Sequence, residues 1–226
     1  MQEMRQRFLI VLFLLLPLTV FSQRNEDADK LGMALEYFQS SKYHEALLIF
    51  QKLADQYRLN PRYMAFIGVC YYYEWDYPNA IKYLDSSIPQ LENFSPHERS
   101  FYYWANAESH FNLQKYKESI PLYEQMLKLC YENEKPDAYY RLGFSYMFAE
   151  DWYPAAYNYQ KALDGYLEHR NVEENKARIA QIRNMLNGCR EHTAKPITSE
   201  ELKKGSLKSF SPRETVTLPA CLKEKF

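Results

Sequence analysis

Apolar and polar positions alternate along the chain in four similar stretches, each with a helical period. The clearest is Tyr139 to Leu163, YYRLGFSYMFAEDWYPAAYNYQKAL. Tyr139, Leu142, Gly143 and Tyr146 share one helical face, and after a polar turn Trp152, Ala155, Tyr159 and Ala162 follow at helical spacing. The pattern predicts two antiparallel helices. Gly143 and Ala155 are small enough to let them approach closely, with the aromatic side chains filling the space around them.

The same set occurs upstream. LGMALEYFQSSKYHEALLIFQKLA supplies Met33, Ala34, Tyr37, Tyr43, Ala46 and Phe50, and the stretch from Pro61 supplies Met64, Ile67, Gly68, Tyr71, Tyr77, Ala80 and Leu84. In the third stretch the places fall to Tyr103, Ala107, Tyr116, Ser119, Tyr123 and Met126, but Asn106 stands for Leu142 and His110 for Tyr146. Ala46, Ala80, Ser119 and Ala155 are separated by 34, 39 and 36 residues, so the connection around Pro89 to Pro96 is expected to be the long one. Pro78 and Pro154 each follow an aromatic residue at a helix start, where a missing N–H costs least. Pro121 is tolerable if Ser119 is an N-cap and the helix proper starts after it. Asn106 and His110, four apart on one face, are expected to form a local hydrogen bond, since buried polar groups find partners.

The order Leu142-Gly143, Tyr146, then Ala155, Tyr159 and Ala162, with a 34-residue period between the first two stretches, resembles the tetratricopeptide repeat, whose signature is L-G-x2-Y followed by A-x3-F. The resemblance implies an all-α fold, a right-handed superhelical solenoid of about four helix–turn–helix repeats at 27–60, 61–94, 100–133 and 136–169. A capping helix at 171–188 would follow, apolar at Val172, Ile179, Ile182, Met185 and Leu186 and stopped near Gly188. In that architecture the first helices of successive pairs line a concave face. Seats on it are Leu31, Leu35 and Phe38; Ala65, Val69 and Tyr72; Trp104, Glu108 and Phe111; Tyr140, Phe144 and Met147. The family's clamp of Lys, Arg and Asn for a terminal carboxylate is not matched at these seats. Their aromatic character suits a helix or an extended hydrophobic peptide, or else it packs between helices and leaves the groove filled.

Arg5 and Arg7 precede an apolar run of 14 residues, Phe8 to Phe21, short of the roughly 20 needed to span a bilayer. A signal peptide over 1–22 is expected, with export to the periplasm or cell envelope and no membrane span after cleavage; an uncleaved anchor is the alternative. In such a compartment Cys70, Cys130, Cys189 and Cys221 could form disulfides, among them one from Cys189 to Cys221 that ties down the tail. That tail, 191–226, holds Pro196, Pro212 and Pro219 and reads as an irregular tail or linker. Repeats with such a linker resemble the N-terminal modules of larger bacterial envelope proteins.

The net charge of -1 gives no general attraction to nucleic acid, and 21 tyrosines suit thin helical layers where rings are half buried. The five histidines fall in different stretches, Cys189 and His192 make at most two metal ligands, and no nucleophile or phosphate-loop motif occurs. No catalytic residue, metal or cofactor is therefore expected. The expected role is a non-enzymatic scaffold of the bacterial envelope that binds a protein or peptide in its groove. A second reading is a periplasmic assembly factor for outer-membrane or peptidoglycan-associated machinery, acting through the terminal helix or the tail.

Overall fold

The computed structural model describes residues 26–170 and 172–194; the expected signal peptide, Cys221 and the tail beyond 194 lie outside them. The described residues form nine α-helices and no strands, so the chain is all-α. Four helix pairs follow one another: α1 (26–39) with α2 (Tyr43–Gln56), α3 (Pro61–Tyr73) with α4 (Tyr77–Ser87), α5 (Pro96–Asn112) with α6 (Tyr116–Leu129), and α7 (Lys135–Phe148) with α8 (Trp152–His169). A ninth helix, α9 (Lys176–Ala194), follows without a second helix among the described residues. Prolines stand first in α3 and α5 and second in α7, at positions whose N–H has no helical partner. Asn60 caps α3 and Ser95 caps α5 through their side chains.

The four turns inside the pairs are copies of one another. Ser41, Trp75, Gln114 and Glu150 all take φ near +60°. Each donates its N–H to the carbonyl three residues back, on Phe38, Tyr72, Phe111 and Met147. The next residue donates to the carbonyl five back, on Tyr37, Tyr71, His110 and Tyr146. This double bond closes the first helix with a left-handed residue. The turn residues are spaced 34, 39 and 36 apart, the same intervals as the small residues of the sequence pattern. The extra length before α5 is taken up by a 3-10 turn at Ile88–Gln90 and by buried Leu91.

The chain divides into two units at Tyr83/Leu84, inside α4. In the first unit Phe38 of α1 packs on Phe66 of α3 with ring centroids 4.3 Å apart, and the Tyr57 hydroxyl beyond α2 donates to Asp27 of α1 at 2.6 Å. In the second unit α5 packs on α6, α6 on α7, α7 on α8, and α8 on α9. A continuous core runs through them from Ala107 and Tyr123 through Leu142, Tyr159 and Tyr166 to Ile182 and Leu186. Close approach is real at Gly143, where a Cβ would lie 2.6 Å from the Tyr159 ring, and recurs at Gly165, 2.6 Å from Pro136. The close approach at Gly143 is thus helix backbone against a ring, with Tyr159 rather than Ala155 as its opposite number.

Three details differ from the sequence reading. Helix α6 begins at Tyr116, so Pro121 sits inside it and Ser119 is no cap. The Ser119 hydroxyl is buried instead, donating to the Tyr116 carbonyl or pairing with Ser145 Oγ at 2.8 Å. Helix α9 runs through Gly188 to Ala194, because Cys189 extends its buried face beyond Leu186 and His192 stacks on Trp152. Val172 precedes that helix and is exposed.

Repeated contacts set the register of α9. The aromatic residue that starts a second helix stacks on the end of the next first helix: Tyr43 on Tyr73 at 3.9 Å and Tyr116 on Phe148 at 4.5 Å. Trp152 stacks in the same way on His192 at 3.9 Å. Likewise Gln51 bonds Tyr71 at 2.5 Å, Tyr146 donates to Glu124 at 3.0 Å, and Arg190 donates to Gln160 at 2.9 Å. Both sets place α9 as the first helix of a fifth pair. The positions that would meet a partner helix, held in α7 by Tyr139, Gly143 and Phe144, are Arg183, Asn187 and Gly188 in α9. Arginine and asparagine there make that face of α9 polar and exposed.

Candidate functional site

The groove seats of the second unit come together along α5 and α7. Trp104, Glu108 and Phe111 follow one face of α5 at helical spacing, and Tyr140, Phe144 and Met147 do the same on α7. The Phe111 ring meets Phe144 edge-on at 6.3 Å, and Phe144 meets Tyr140 at 4.9 Å and Tyr159 at 5.7 Å. Trp104 meets Tyr123 edge-on at 5.7 Å, and Met147 sulfur accepts the Tyr159 hydroxyl at 3.8 Å. Trp104, Phe111, Phe144 and Met147 are half-buried: they pack on the core and keep one side in water.

Tyr140 and Glu108 are buried instead, and Glu108 is a carboxylate only 3% exposed. Its Oε1 accepts from Arg141 Nε at 2.8 Å and from the Tyr123 hydroxyl at 2.5 Å, and its Oε2 accepts from Arg141 Nη2 at 2.8 Å. Burial pushes the Glu108 carboxyl above its ordinary range, while Arg141 and Tyr123 pull it back. The fork of two bonds orients the guanidinium, which lies 4.9 Å over the Phe111 ring. A second guanidinium, Arg178 of α9, lies 5.1 Å over Tyr140, whose hydroxyl donates to Gln181 at 2.9 Å. Asp137 anchors this end: it accepts from the Tyr166 hydroxyl and from Arg170, with Arg178 3.6 Å away. Aromatic rings carrying fixed guanidinium groups therefore line the second-unit face.

Sequence reasoning missed Arg141 and Arg178. The available signal was Glu108 itself, since a carboxylate on an apolar face requires a cation. In the first unit Leu35, Phe38 and Tyr72 are half-buried, Phe38 edge-on to Tyr43 at 5.6 Å and Tyr72 edge-on to Tyr73 at 4.9 Å. Val69 is 0% exposed and offers no surface to a partner.

The expected bond between Asn106 and His110 is not made. Asn106 Nδ2 donates to Asp85 at 2.7 Å, while Asn106 Oδ1 and His110 Nδ1 are buried without partners. Asp85 holds the place of Gln51 and Glu124, and His110 that of Tyr71 and Tyr146, so Asn106 takes the acceptor that the repeat would give His110. Burial holds the His110 pKa down. Cys70, Cys130 and Cys189 are free thiols, and among the described residues no group of three or more His, Cys, Asp or Glu could hold a metal ion. No described helix is long and apolar enough to cross a membrane. A cavity of about 320 Å³ lies apart from the seats, between Lys135, Pro136 and Tyr139 of α7 and Lys161, Asp164 and Glu168 of α8.

Helix pairs closed by one repeated turn make a helical-repeat fold of the kind seen in tetratricopeptide proteins. Among solved structures, the chain is similar to MamA, a protein containing such repeats. To MamA 41-end from Desulfovibrio magneticus RS-1 it is 17% identical over 79% of this chain and 96% of that one, with a TM-score of 0.55. To a double mutant of MamA RS-1 the identity is 17% over 74% and 96%, with a TM-score of 0.52. At such identity the likeness is one of fold. No family model matches the chain, and no curated protein does.

Proposed function

We propose that the chain is a tetratricopeptide-repeat scaffold, exported to the bacterial cell envelope, that binds a segment of another protein on the face formed by α5 and α7, the first helices of the second unit's pairs. The observation that carries this reading is the second-unit surface of Trp104, Phe111, Phe144 and Met147 around the buried Glu108–Arg141 pair. Half-buried aromatic residues beside an oriented guanidinium are the side chains that dominate binding at protein interfaces. The helical-repeat fold shared with MamA supports a scaffold, and the basic-then-apolar N-terminus supports export.

The test is capture from a bacterial envelope extract by the tagged full chain, by a chain lacking residues 196–226, and by a Trp104→Ala/Phe111→Ala variant that keeps the wild-type helical circular dichroism. Partners kept by the truncated chain and lost by the double variant support the face. Equal capture by the variant overturns it, and loss on truncation moves the contact to the tail. Fractionation of cells making the full chain tests export.

A further inference from the structure

The four copied turns single out one residue. Three of their left-handed positions hold Ser41, Gln114 and Glu150, exposed polar residues, and the fourth holds Trp75 at φ 61°. A bulky side chain in this region is strained, and Trp75 gains no burial in exchange, being 79% exposed. The other turns show that the fold itself has no need of an aromatic residue there. Beside it in the chain lies a ring cluster: Tyr73 stacked on Tyr43 with planes 1° apart, and Tyr72 6.4 Å from Tyr77. Polar groups accompany the rings, with His44 Nδ1 2.9 Å from Glu74 Oε2 and Asp76 accepting from Asn79 at 2.7 Å.

We propose that Trp75 is the platform of a saccharide-binding site at the turn between α3 and α4. A pyranose ring has one face of C–H groups, which stacks on a bare indole, and a rim of hydroxyls, which the carboxylate, imidazole and amide groups beside Trp75 can bond. An indole 79% exposed is not enclosed in the concave pocket that an apolar side chain of a peptide needs. Glu74 and Asp76 place negative charge next to the indole, which opposes docking on anionic lipid. The site is separate from the second-unit face and stands without it.

Titration of the full chain with N-acetylglucosamine oligomers and with cello-oligosaccharides, followed by tryptophan fluorescence and calorimetry, tests the site. Saturable binding of at least one oligosaccharide is expected, about tenfold weaker in Trp75→Gln, with part of it kept in Trp75→Tyr. Because Gln114 occupies the same turn position natively, Trp75→Gln is expected to keep or raise the wild-type melting temperature. Absence of binding up to about 10 mM, an affinity weaker than any in the usual range, overturns the proposal. So does equal binding by Trp75→Gln, or a loss on that substitution of retention by phosphatidylglycerol vesicles with no effect of sugar.

Discussion

Placing a methyl group on Gly143 drives it into the Tyr159 ring. The new Cβ would lie 2.6, 2.7 and 2.9 Å from three ring carbons, where ordinary contact is about 3.5–4.0 Å. About 1 Å of movement is needed, and Tyr159 has little room for it. Its ring is fully buried, Phe144 and Tyr140 stand edge-on to it at 5.7 and 6.4 Å, and its hydroxyl is held on Met147. Overpacking of this kind costs about 1–3 kcal/mol. Alanine recovers about 1 kcal/mol as the better helix former, so Gly143→Ala is expected to lose up to about 2 kcal/mol net. Gly143→Leu pushes three more atoms into the same ring and should lose about 3 kcal/mol. Gly188 supplies the control: it lies inside α9 with nothing within 4 Å of an added Cβ, so Gly188→Ala should gain about 0.5–1 kcal/mol. Each kcal/mol moves the midpoint by about 2–4 °C in a chain of this size. Calorimetry and urea denaturation should therefore show the two alanines shifting stability in opposite directions. An unchanged midpoint in Gly143→Leu, or a gain in Gly143→Ala matching that of Gly188→Ala, refutes the close approach of α7 to Tyr159.

Arg141→Met should destabilise by about 3 kcal/mol at neutral pH, since it leaves the Glu108 carboxyl buried without its cation. The lost guanidinium raises the Glu108 pKa in the folded chain further above its unfolded value. The deficit against wild type should then shrink as pH falls through that raised pKa, and melts at pH 5 and 7.5 showing an equal deficit would exclude this. Burial pushes Cys70 up to about 12 and Cys130 up to about 11, and raises Cys189. In a Cys221→Ser chain, thiol reagents should reach Cys70 and Cys189 only after denaturant is added, and prompt labelling of either would contradict the packing. Arg183→Leu/Asn187→Leu makes the end of α9 apolar and should raise the mass measured by light scattering above wild type. An unchanged mass would show that these positions do not form the face that a partner helix would meet.

The sequence by itself determined the all-α class, the four pairs and their spacing. Those properties rest on local period and on small residues recurring at fixed intervals, as at Ala46, Ala80, Ser119 and Ala155. It also marked the third pair as irregular through Asn106 and His110, although not how those polar atoms are disposed. Tertiary structure alone decided which groove seats have a surface. Val69 and Phe144 both look apolar on one helical face, yet one is sealed and the other half open, because burial depends on the neighbouring helix. Arg141 and Arg178 reach the second-unit face from positions the pattern ignores, drawn there by Glu108 and Asp137 across helix boundaries. The extent of α9 was hidden for the same reason: Gly188 is a stop signal only locally, and Cys189 and His192 carry the helix past it by packing on α8.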